Sequence, residues 1–301
     1  MQSYRIEPES LVTSTNGANV ELRKYSCRGV AADMHIHSSI EALYFVDGTF
    51  ETSCNDERYV LKAGDLIIIR KYAIHSVNAL SENGGSYYVL KIHPSILPDF
   101  SDQESITTFQ FFFSLDSNES KWIYRKEELE ESDIYIPLSE IIKECENNDL
   151  FSFMSFKLNV GRFLLAVMRD SHKRKPSTFN FLRLGDNAAN SVHMAIEYIN
   201  ANYALDITTK DVAKKLNFSY TYFANCFSKI IGKSFKQYLT ETRINHAKSE
   251  LLSSSQSISE VGSAVGYNST SYFILEFKKQ TGMTPLQYVK KYRDKGVEFY
   301  I

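Results

Sequence analysis

The chain has 301 residues, of which 43% are hydrophobic and 23% charged, a composition typical of a soluble globular protein with two domains. The net charge of −2 excludes a polycationic chain, and the sequence has no run of about 18 apolar residues that would predict a membrane span. The charge is uneven, at −7 for residues 1–181 and +5 for residues 182–301, so we expect only the carboxy-terminal part to meet a polyanion. The first ten residues lack the pattern of a signal peptide and the four cysteines are scattered, which predicts a cytoplasmic protein with reduced thiols.

Between residues 20 and 95, short apolar segments alternate with turn residues, which predicts an all-β barrel or sandwich. The dipeptide Asp47–Gly48 predicts a turn between two strands, and residues 62–65 predict another. The expected strands are residues 42–46, 49–53, 59–61, 66–69 and 87–92.

Polar residues follow a defined spacing within these strands. The pattern G-x5-HxH-x3-E-x6-G begins at Gly29, contains His35, His37 and Glu41, and resembles the first cupin motif. Gly64–Asp65 followed by His75 resembles the second cupin motif. This match is weaker, because arginine and tyrosine stand where proline and glycine are usual. Since alternate residues of a strand share one face, we expect His35 and His37 to point into a barrel.

These four side chains have two interpretations. The favoured one is a metal-free pocket in which they hydrogen-bond a small polar effector beside Tyr44, and a sugar is the first candidate, ahead of small carboxylates or bicarbonate. No cofactor is then expected. The other is a transition-metal site, because three imidazoles and one carboxylate suit zinc, iron, manganese or nickel.

Helical periodicity replaces the strand pattern after residue 98. The apolar stripe of residues 150–169 is expected to pack on the barrel or to face a second copy of the chain. The expected fold class is α+β with two domains. Their parts are a cupin-like barrel over 1–100, a helical dimerisation part over 101–170, a linker over 171–186 and an all-α domain over 187–296.

The all-α domain contains an internal repeat. Asp211–Tyr238 and Glu260–Tyr288 align at an offset of 49 residues before a central turn and 50 after it. Each copy has the pattern of helix, turn and helix, over residues 208–232 and 257–282, with capping residues at the helix ends. A helix of about 20 residues joins them and spans about 30 Å, which suits two successive major grooves about 34 Å apart.

This domain resembles the DNA-binding domain of AraC/XylS-family transcription regulators, and with the cupin-like barrel the resemblance covers nearly the whole chain. The resemblance implies a promoter-binding regulator that is not an enzyme, forms a homodimer, meets RNA polymerase and activates nearby operons, often for sugar uptake. The matching residues are Ile207, Val212, Ala213, Leu216, Phe227, Gly232, Phe235, Tyr238, Arg243, Ala247 and Leu252, together with the second repeat.

The DNA-contacting residues are expected on the second helix of each copy. Asn225 and Leu275 stand where arginine is common in the family, so we expect a site that leans towards A/T base pairs. Gly262 replaces a usual alanine, and Gly262→Ala is expected to raise the melting temperature. The expected base readers are Tyr220, Thr221 and Asn225 in the first copy and Thr270, Ser271 and Leu275 in the second, and the expected phosphate contacts are Lys229, Lys233, Lys278 and Lys279. Ser219, Tyr222 and Ser269 are also expected at the DNA-binding surface.

Two other functions remain alternatives. One is a metal-dependent cupin enzyme fused to a DNA-binding module, which metal analysis of the protein would distinguish. The other is an effector-blind regulator whose barrel is only a scaffold for dimerisation, which titration with sugars would distinguish.

Overall fold

The structure is a computed structural model that describes residues 13–15, 18–37, 39–54, 57–92, 121–144, 150–174, 186–293 and 298–300. The chain divides into two compact units, one drawn from residues 1–99, 116–171 and 300–301 and the other from residues 100–115 and 172–299. Among the described residues, no helix is long and apolar enough to cross a membrane. The predicted fold class is confirmed, with a sheet-rich amino-terminal unit and a helical carboxy-terminal unit.

The sheets of the first unit are antiparallel and meet at one long strand, β4 (Ile40–Cys54). The first half of β4 pairs with β8 and β6, and its second half pairs with β5 and β7. The other strands are β1 (Thr13–Thr15), β2 (Ala18–Tyr25), β3 (Gly29–His37), β5 (Glu57–Lys62), β6 (Leu66–Ile69), β7 (His75–Ala79), β8 (Gly85–Ile92) and β9 (Lys121–Tyr124), and a short strand β10 (Glu298–Tyr300) lies near the end of the chain.

The predicted turn at Asp47–Gly48 is wrong, because β4 continues through it. The pairing of β4 with β8 shifts between Phe45 and Asp47, which indicates a bulge, and Gly48 has a φ of 84°. A Cβ at Gly48 would lie 2.4 Å from the Gly84 carbonyl oxygen, so only glycine fits. The bulge lets one strand pass from one set of partners to the other. The predicted turn at residues 62–65 is confirmed between β5 and β6.

Aromatic rings fill the space enclosed by these strands. Phe45, Phe50 and Tyr87 are fully buried, and their ring centroids lie 5.1 to 5.4 Å apart. The alternate residues Leu43 and Phe45 of β4 belong to this core. The period of two in a strand therefore places Glu41 on the same, inward face.

Three helices follow in the first unit, α1 (Lys126–Glu130), α2 (Tyr135–Glu144) and α3 (Ser152–Arg174). The part predicted as helical over 101–170 also contains strand β9, which pairs with β6. Helix α3 continues to Arg174, past the start of the predicted linker, while residues 101–120 and 175–185 lie outside the described residues. The predicted stripe of α3 is buried except for Phe153, which is 56% exposed at the start of the helix, and a second apolar row on another face is exposed. The buried row includes Phe156, Val160, Phe163 and Val167, and the exposed row includes Met154, Leu158 and Leu165.

The second unit contains seven helices within residues 186–293, and they include the two predicted helix-turn-helix copies and the helix that joins them. The predicted capping boxes at Thr208 and Ser257 are confirmed, as is the glycine end of both second helices of the repeat, at Gly232 and Gly282. The helices are α4 (Asp186–Asn202), α5 (Thr209–Lys215), α6 (Tyr220–Ile231), α7 (Phe235–Ser253), α8 (Ile258–Ala264), α9 (Thr270–Thr281) and α10 (Pro285–Arg293).

Candidate DNA-binding surface and effector site

The two helix-turn-helix copies are built on the same backbone hydrogen bonds. In the first, the N–H of Phe218 donates to the Ala213 carbonyl at 2.9 Å, and in the second the N–H of Tyr267 donates to the Gly262 carbonyl at 2.9 Å. A serine caps each following helix, because the Ser219 and Ser269 side chains accept hydrogen bonds from backbone N–H groups. Equivalent residues therefore set the start of α6 and of α9.

Equivalent aromatic rings also fix the orientation of these helices. In the first copy the Phe227 ring lies 5.7 Å from Tyr238, edge to face, and in the second Phe277 lies 5.2 Å from Tyr288 in the same manner. Phe227 and Phe277 are fully buried, so they belong to the core and not to a DNA contact surface.

The opposite faces of α6 and α9 are exposed and hold most of the predicted contacts. Thr221, Asn225 and Lys229 are exposed at spacings of four residues, which places them on one face of α6. The same positions of α9 bear exposed residues, of which Leu275 is 60% exposed despite its apolar side chain. Also exposed are Ser219, Tyr220, Tyr222, Ser269, Ser271, Lys278 and Lys279.

Two predicted contacts have partners inside the unit. The Lys233 ammonium lies 2.7 Å from Glu241 Oε2 and 2.9 Å from Oε1, so its charge is neutralised within the protein. The Thr270 hydroxyl is half-buried and lies 2.9 Å from the Ser259 hydroxyl, which ties the start of α9 to α8. We therefore leave Lys233 and Thr270 out of the proposed contact surface.

Arg243 connects the segment just before the first copy with the second copy, a role that sequence reasoning missed. Its Nε donates to the Tyr203 carbonyl at 2.7 Å and its Nη2 to the Leu205 carbonyl at 2.8 Å, ahead of the first copy. The same guanidinium lies 5.5 Å from the ring centroid of Tyr267 in the second copy. Its place in the middle of α7, between the copies, was the available signal.

The expectation that Gly262→Ala raises the melting temperature is wrong, because a methyl group does not fit at this position. A Cβ at this position would lie 2.9 Å from Cδ1 and 3.1 Å from Cγ of the Phe273 ring. That ring is fully buried, so it has no room to move away. The overlap opposes the gain in helix propensity, and we now expect Gly262→Ala to destabilise the unit.

In the first unit, four polar side chains converge as the cupin-like spacing predicts. We call His35, His37, Glu41 and His75 the histidine–glutamate cluster. His35 and His75 are direct partners across β3 and β7, and all four residues are at most 4% exposed. The ligand atoms of the four side chains lie within 4.8 Å of one another.

Backbone carbonyls orient all three imidazoles. Because a carbonyl oxygen only accepts, each Nδ1 that bonds to one carries a proton, and the Nε2 atom of a neutral ring then offers a lone pair. The Nδ1 atoms lie 2.7 Å from the Asp33 oxygen for His35, 3.0 Å from the Ser39 oxygen for His37 and 2.9 Å from the Ala73 oxygen for His75.

Burial and mutual contacts shift the titration of the cluster. Burial, reinforced by the neighbouring His75, lowers the pKa of the His35 imidazole to about 3, so this ring is neutral near pH 7. Burial alone would raise the pKa of the Glu41 carboxyl, but the neighbouring His75 and His37 hold it well below its usual range. The cluster thus combines a neutral imidazole with a buried carboxylate.

Tyr44 does not join this cluster. The regular pairing of residues 41–44 with β6 places Tyr44 on the face of β4 opposite to Glu41. Burial, together with Tyr135 and Glu130, raises the pKa of the Tyr44 hydroxyl, consistent with a position near the helices.

Lys91 is a neighbour of the cluster that sequence reasoning missed. Lys91 lies on β8 directly opposite Glu41 of β4, and its Nζ lies 3.7 Å from Glu41 Oε1. A single lysine in the apolar strand Tyr87–Ile92 was the signal that would have identified it.

Two families match separate parts of the chain. Residues 21–154 match the AraC-like ligand binding domain, and residues 212–291 match a helix-turn-helix domain. These matches define a regulator that combines a ligand-binding part with a DNA-binding part.

Similar proteins support both matches. The lactose operon transcription activator of Staphylococcus xylosus is 25% identical over 242 residues, 80% of each chain, and the melibiose operon regulatory protein of Escherichia coli K12 is 33% identical over 133 residues, 44% of each. An uncharacterised helix-turn-helix-type transcriptional regulator of Pseudoalteromonas carrageenovora is 30% identical over 173 residues, 53% of this chain and 99% of that protein. The chain belongs to the AraC family of transcription regulators.

Proposed function

We propose that this protein activates promoters by placing α6 and α9 in two successive major grooves, under the control of a small polar effector, a sugar, bound in the amino-terminal unit. The observation that carries the DNA-binding part is the pair of recognition helices with the same buried and exposed positions. Helix α7, with 19 residues, spans about 28 Å between the copies, close to the spacing of adjacent grooves.

The contact surface assigns different roles to its residues. Thr221, Asn225, Ser271 and Leu275 face the base edges, where Asn225 suits adenine and Leu275 a thymine methyl group. The exposed lysines at the far ends of the helices contact phosphates and set the affinity without reading sequence.

DNA selection followed by binding titration tests this part. Sites selected from random DNA should lean towards A/T base pairs, and G-rich half-sites would contradict the assignment. Lys229→Ala and Lys279→Ala should each reduce the slope of log affinity against log salt by about one. Lys143→Ala removes the same charge from an exposed position in the first unit and should leave the slope unchanged.

The effector part of the proposal is supported by the match to the ligand binding domain and by the names of the sugar-operon relatives. The histidine–glutamate cluster is the proposed site, because four buried polar side chains of the sheet-rich unit meet there. Effector binding would favour one of two conformations, and the DNA affinity would follow the populations of the two.

Titration with lactose, melibiose and raffinose tests the effector assignment. A ligand that binds the folded protein should raise the melting temperature with its concentration and change the affinity for the selected DNA. Glu41→Gln should weaken the sugar about tenfold or more, whereas the exposed Glu82→Gln should not. If no sugar moves the melting temperature, the sugar assignment fails while DNA binding stands.

We further propose that the exposed apolar row of α3 binds a second copy of the chain. Met154, Leu158 and Leu165 are 64%, 59% and 39% exposed. A row of this kind on one helix face is typical of an interface, since soluble proteins rarely leave large apolar patches uncovered. Two copies would supply two DNA-binding units to one promoter and a common surface for RNA polymerase.

Light scattering during size-exclusion chromatography tests the dimer. Leu158→Glu should shift the mass from two chains to one, while Val60→Glu, a similar change at an exposed strand position, should not. A wild-type protein that stays monomeric at high concentration would contradict the proposal.

A further inference from the structure

The histidine–glutamate cluster presents four electron-pair donors to one point. The backbone carbonyls hold every Nδ1 as a donor, so the three Nε2 atoms and the Glu41 carboxylate face inward, with one proton shared between His75 Nε2 and Glu41. Residues from three strands, β3, β4 and β7, deliver them, and none of these side chains is more than 4% exposed. Such an arrangement calls for something positive or proton-donating at its centre.

Hydrogen bonding within the cluster does not satisfy all four groups. His75 Nε2 lies 2.7 Å from Glu41 Oε2, so one shared proton satisfies that pair. His37 Nε2 lies 3.6 Å from the same oxygen, is fully buried, and has no hydrogen-bond partner among the described residues. A buried polar atom in a native protein normally has a partner, so this nitrogen is left for a bound group.

We propose that His35, His37, Glu41 and His75 bind a divalent first-row transition metal ion. Ligands about 2.0 to 2.2 Å from such an ion lie about 3 to 4 Å from one another, and the present ligand atoms all lie within 4.8 Å. Small side-chain rotations close that difference without moving the strands. One ion would accept the lone pairs of all three Nε2 atoms and of the carboxylate together.

The surroundings of this buried cluster favour metal binding more than those of histidines at the protein surface would. Each imidazole is already oriented by a backbone carbonyl at Nδ1, the outer hydrogen bond that metal-binding histidines usually have. Three nitrogen ligands and one oxygen favour zinc, iron, cobalt or nickel over magnesium and calcium, which prefer oxygen alone.

The metal site would use the same residues as the proposed effector site. It rests on the proposed function only in what it implies for effector binding. With the four side chains on the ion, the polar effector would be held through open coordination positions of the metal as well as by protein groups. The residues assigned to the effector would then act on it through the metal.

Metal analysis of the full-length, tag-free protein tests the inference directly. Purified protein should contain about one transition metal ion per chain, and protein stripped by a chelator should take up about one cobalt(II) ion. Cobalt bound to three nitrogens should show visible absorption bands that free cobalt lacks. The melting temperature of the stripped protein should rise by about 5 °C or more with cobalt.

Matched variants locate the ion. Glu41→Gln and His75→Gln should each weaken cobalt binding about a hundredfold, and circular dichroism checks that they fold. His172→Gln alters an exposed histidine outside the cluster and should bind cobalt like the wild type. Equal loss in all three variants would show surface binding and overturn the proposal.

Cobalt uptake and DNA selection by the wild-type protein test the metal site even if the variants fail to fold. Stripped protein that binds its selected DNA but takes up no cobalt overturns the metal site and leaves the regulator function intact. Protein that takes up one cobalt ion but selects no DNA site supports the metal site and contradicts the proposed regulator function.

Discussion

The two helix-turn-helix copies share their interiors and differ on their surfaces. Phe227 and Phe277 occupy equivalent places against Tyr238 and Tyr288, and a serine caps the recognition helix in both copies. Shared positions therefore preserve the angle between helices, and the exposed positions are free to change. We propose that the shared residues make each copy a DNA-binding motif, and that the preferred DNA sequence is set at the positions where the copies differ.

The copies also differ inside, at one place. Ala213 of the first copy corresponds to Gly262 of the second, and both are buried between the two helices of their motif. The Phe273 ring leaves no room for a methyl group at Gly262. Close packing of the two helices in the second copy therefore requires glycine at this position, although alanine has the higher helix propensity.

Truncation of the shared phenylalanines should give the largest effect. We expect Phe227→Ala and Phe277→Ala each to lower the free energy of unfolding by about 3 to 5 kcal/mol, because each leaves a cavity in a fully buried site. Urea titration followed by far-ultraviolet circular dichroism measures it. The fluorescence of Trp122, the single tryptophan, serves as the control in the first unit. A large effect in one copy alone would show that the cores are not equivalent.

Exchanging the small residues should separate the copies. Gly262→Ala should destabilise the unit by about 1 to 3 kcal/mol through overlap with Phe273. Ala213→Gly should cost about 1 to 2 kcal/mol, from lost helix propensity and from the loss of a buried methyl group. Thermal denaturation of both variants measures the difference, and a higher melting temperature for Gly262→Ala would contradict the packing argument.

Exchanging the exposed residues should alter recognition and not stability. Asn225→Leu should weaken binding to the selected site about tenfold, because a bidentate contact with adenine is lost. Leu275→Asn should instead shift the preference of the other half-site towards adenine. Fluorescence anisotropy with single-base variants of the DNA measures both, and unchanged preferences would move the reading positions elsewhere.

The caps should behave alike in the two copies. Thr208→Ala and Ser257→Ala should each cost about 1 kcal/mol, since each removes the acceptor for a backbone N–H at a helix start. Ser263→Ala, at an exposed position inside α8, is the control and should cost nothing. Urea titration compares the three, and unequal cap effects would indicate that one first helix is held mainly by packing.

The smallest expected effect depends on pH. Hydrogen bonds from Thr208 and Ser257 lower the pKa values of the Asp211 and Glu260 carboxyls below their usual 3.8 and 4.5. Their stabilisation is therefore complete above those values and is lost as the pH falls through the lower, folded-state pKa. Amide hydrogen exchange at the two helix starts should quicken under acid, and Asp211→Asn with Glu260→Gln should remove the change.

Local sequence signals predicted much of the carboxy-terminal unit. Thr208, Ser219, Ser257 and Gly232 end or begin helices where their chemistry predicts, because caps depend on hydrogen bonds within a few residues. The turn predicted at Asp47–Gly48 failed for the opposite reason. The same dipeptide bends a strand when partners on both sides continue to pair with it.

The candidate sites divide in the same way. The spacing of His35, His37 and Glu41 predicted a shared inward face, because a strand alternates its side chains. The contact of Lys91 with Glu41, the position of Tyr44 on the opposite face of β4 and the ion pair of Lys233 with Glu241 came only from the structure. These contacts join residues from different segments, so no local pattern contains them.

By itself, the sequence determined the class of the protein, since repetition, capping and strand alternation are local and periodic properties. Tertiary structure alone decided that Gly262 must remain glycine, that Arg243 connects the segment before the first copy with the second copy, and that four buried ligand atoms meet within 4.8 Å. The physical reason is that close packing and ligand geometry depend on distances of tenths of an ångström between distant segments, which spacing along the chain does not encode.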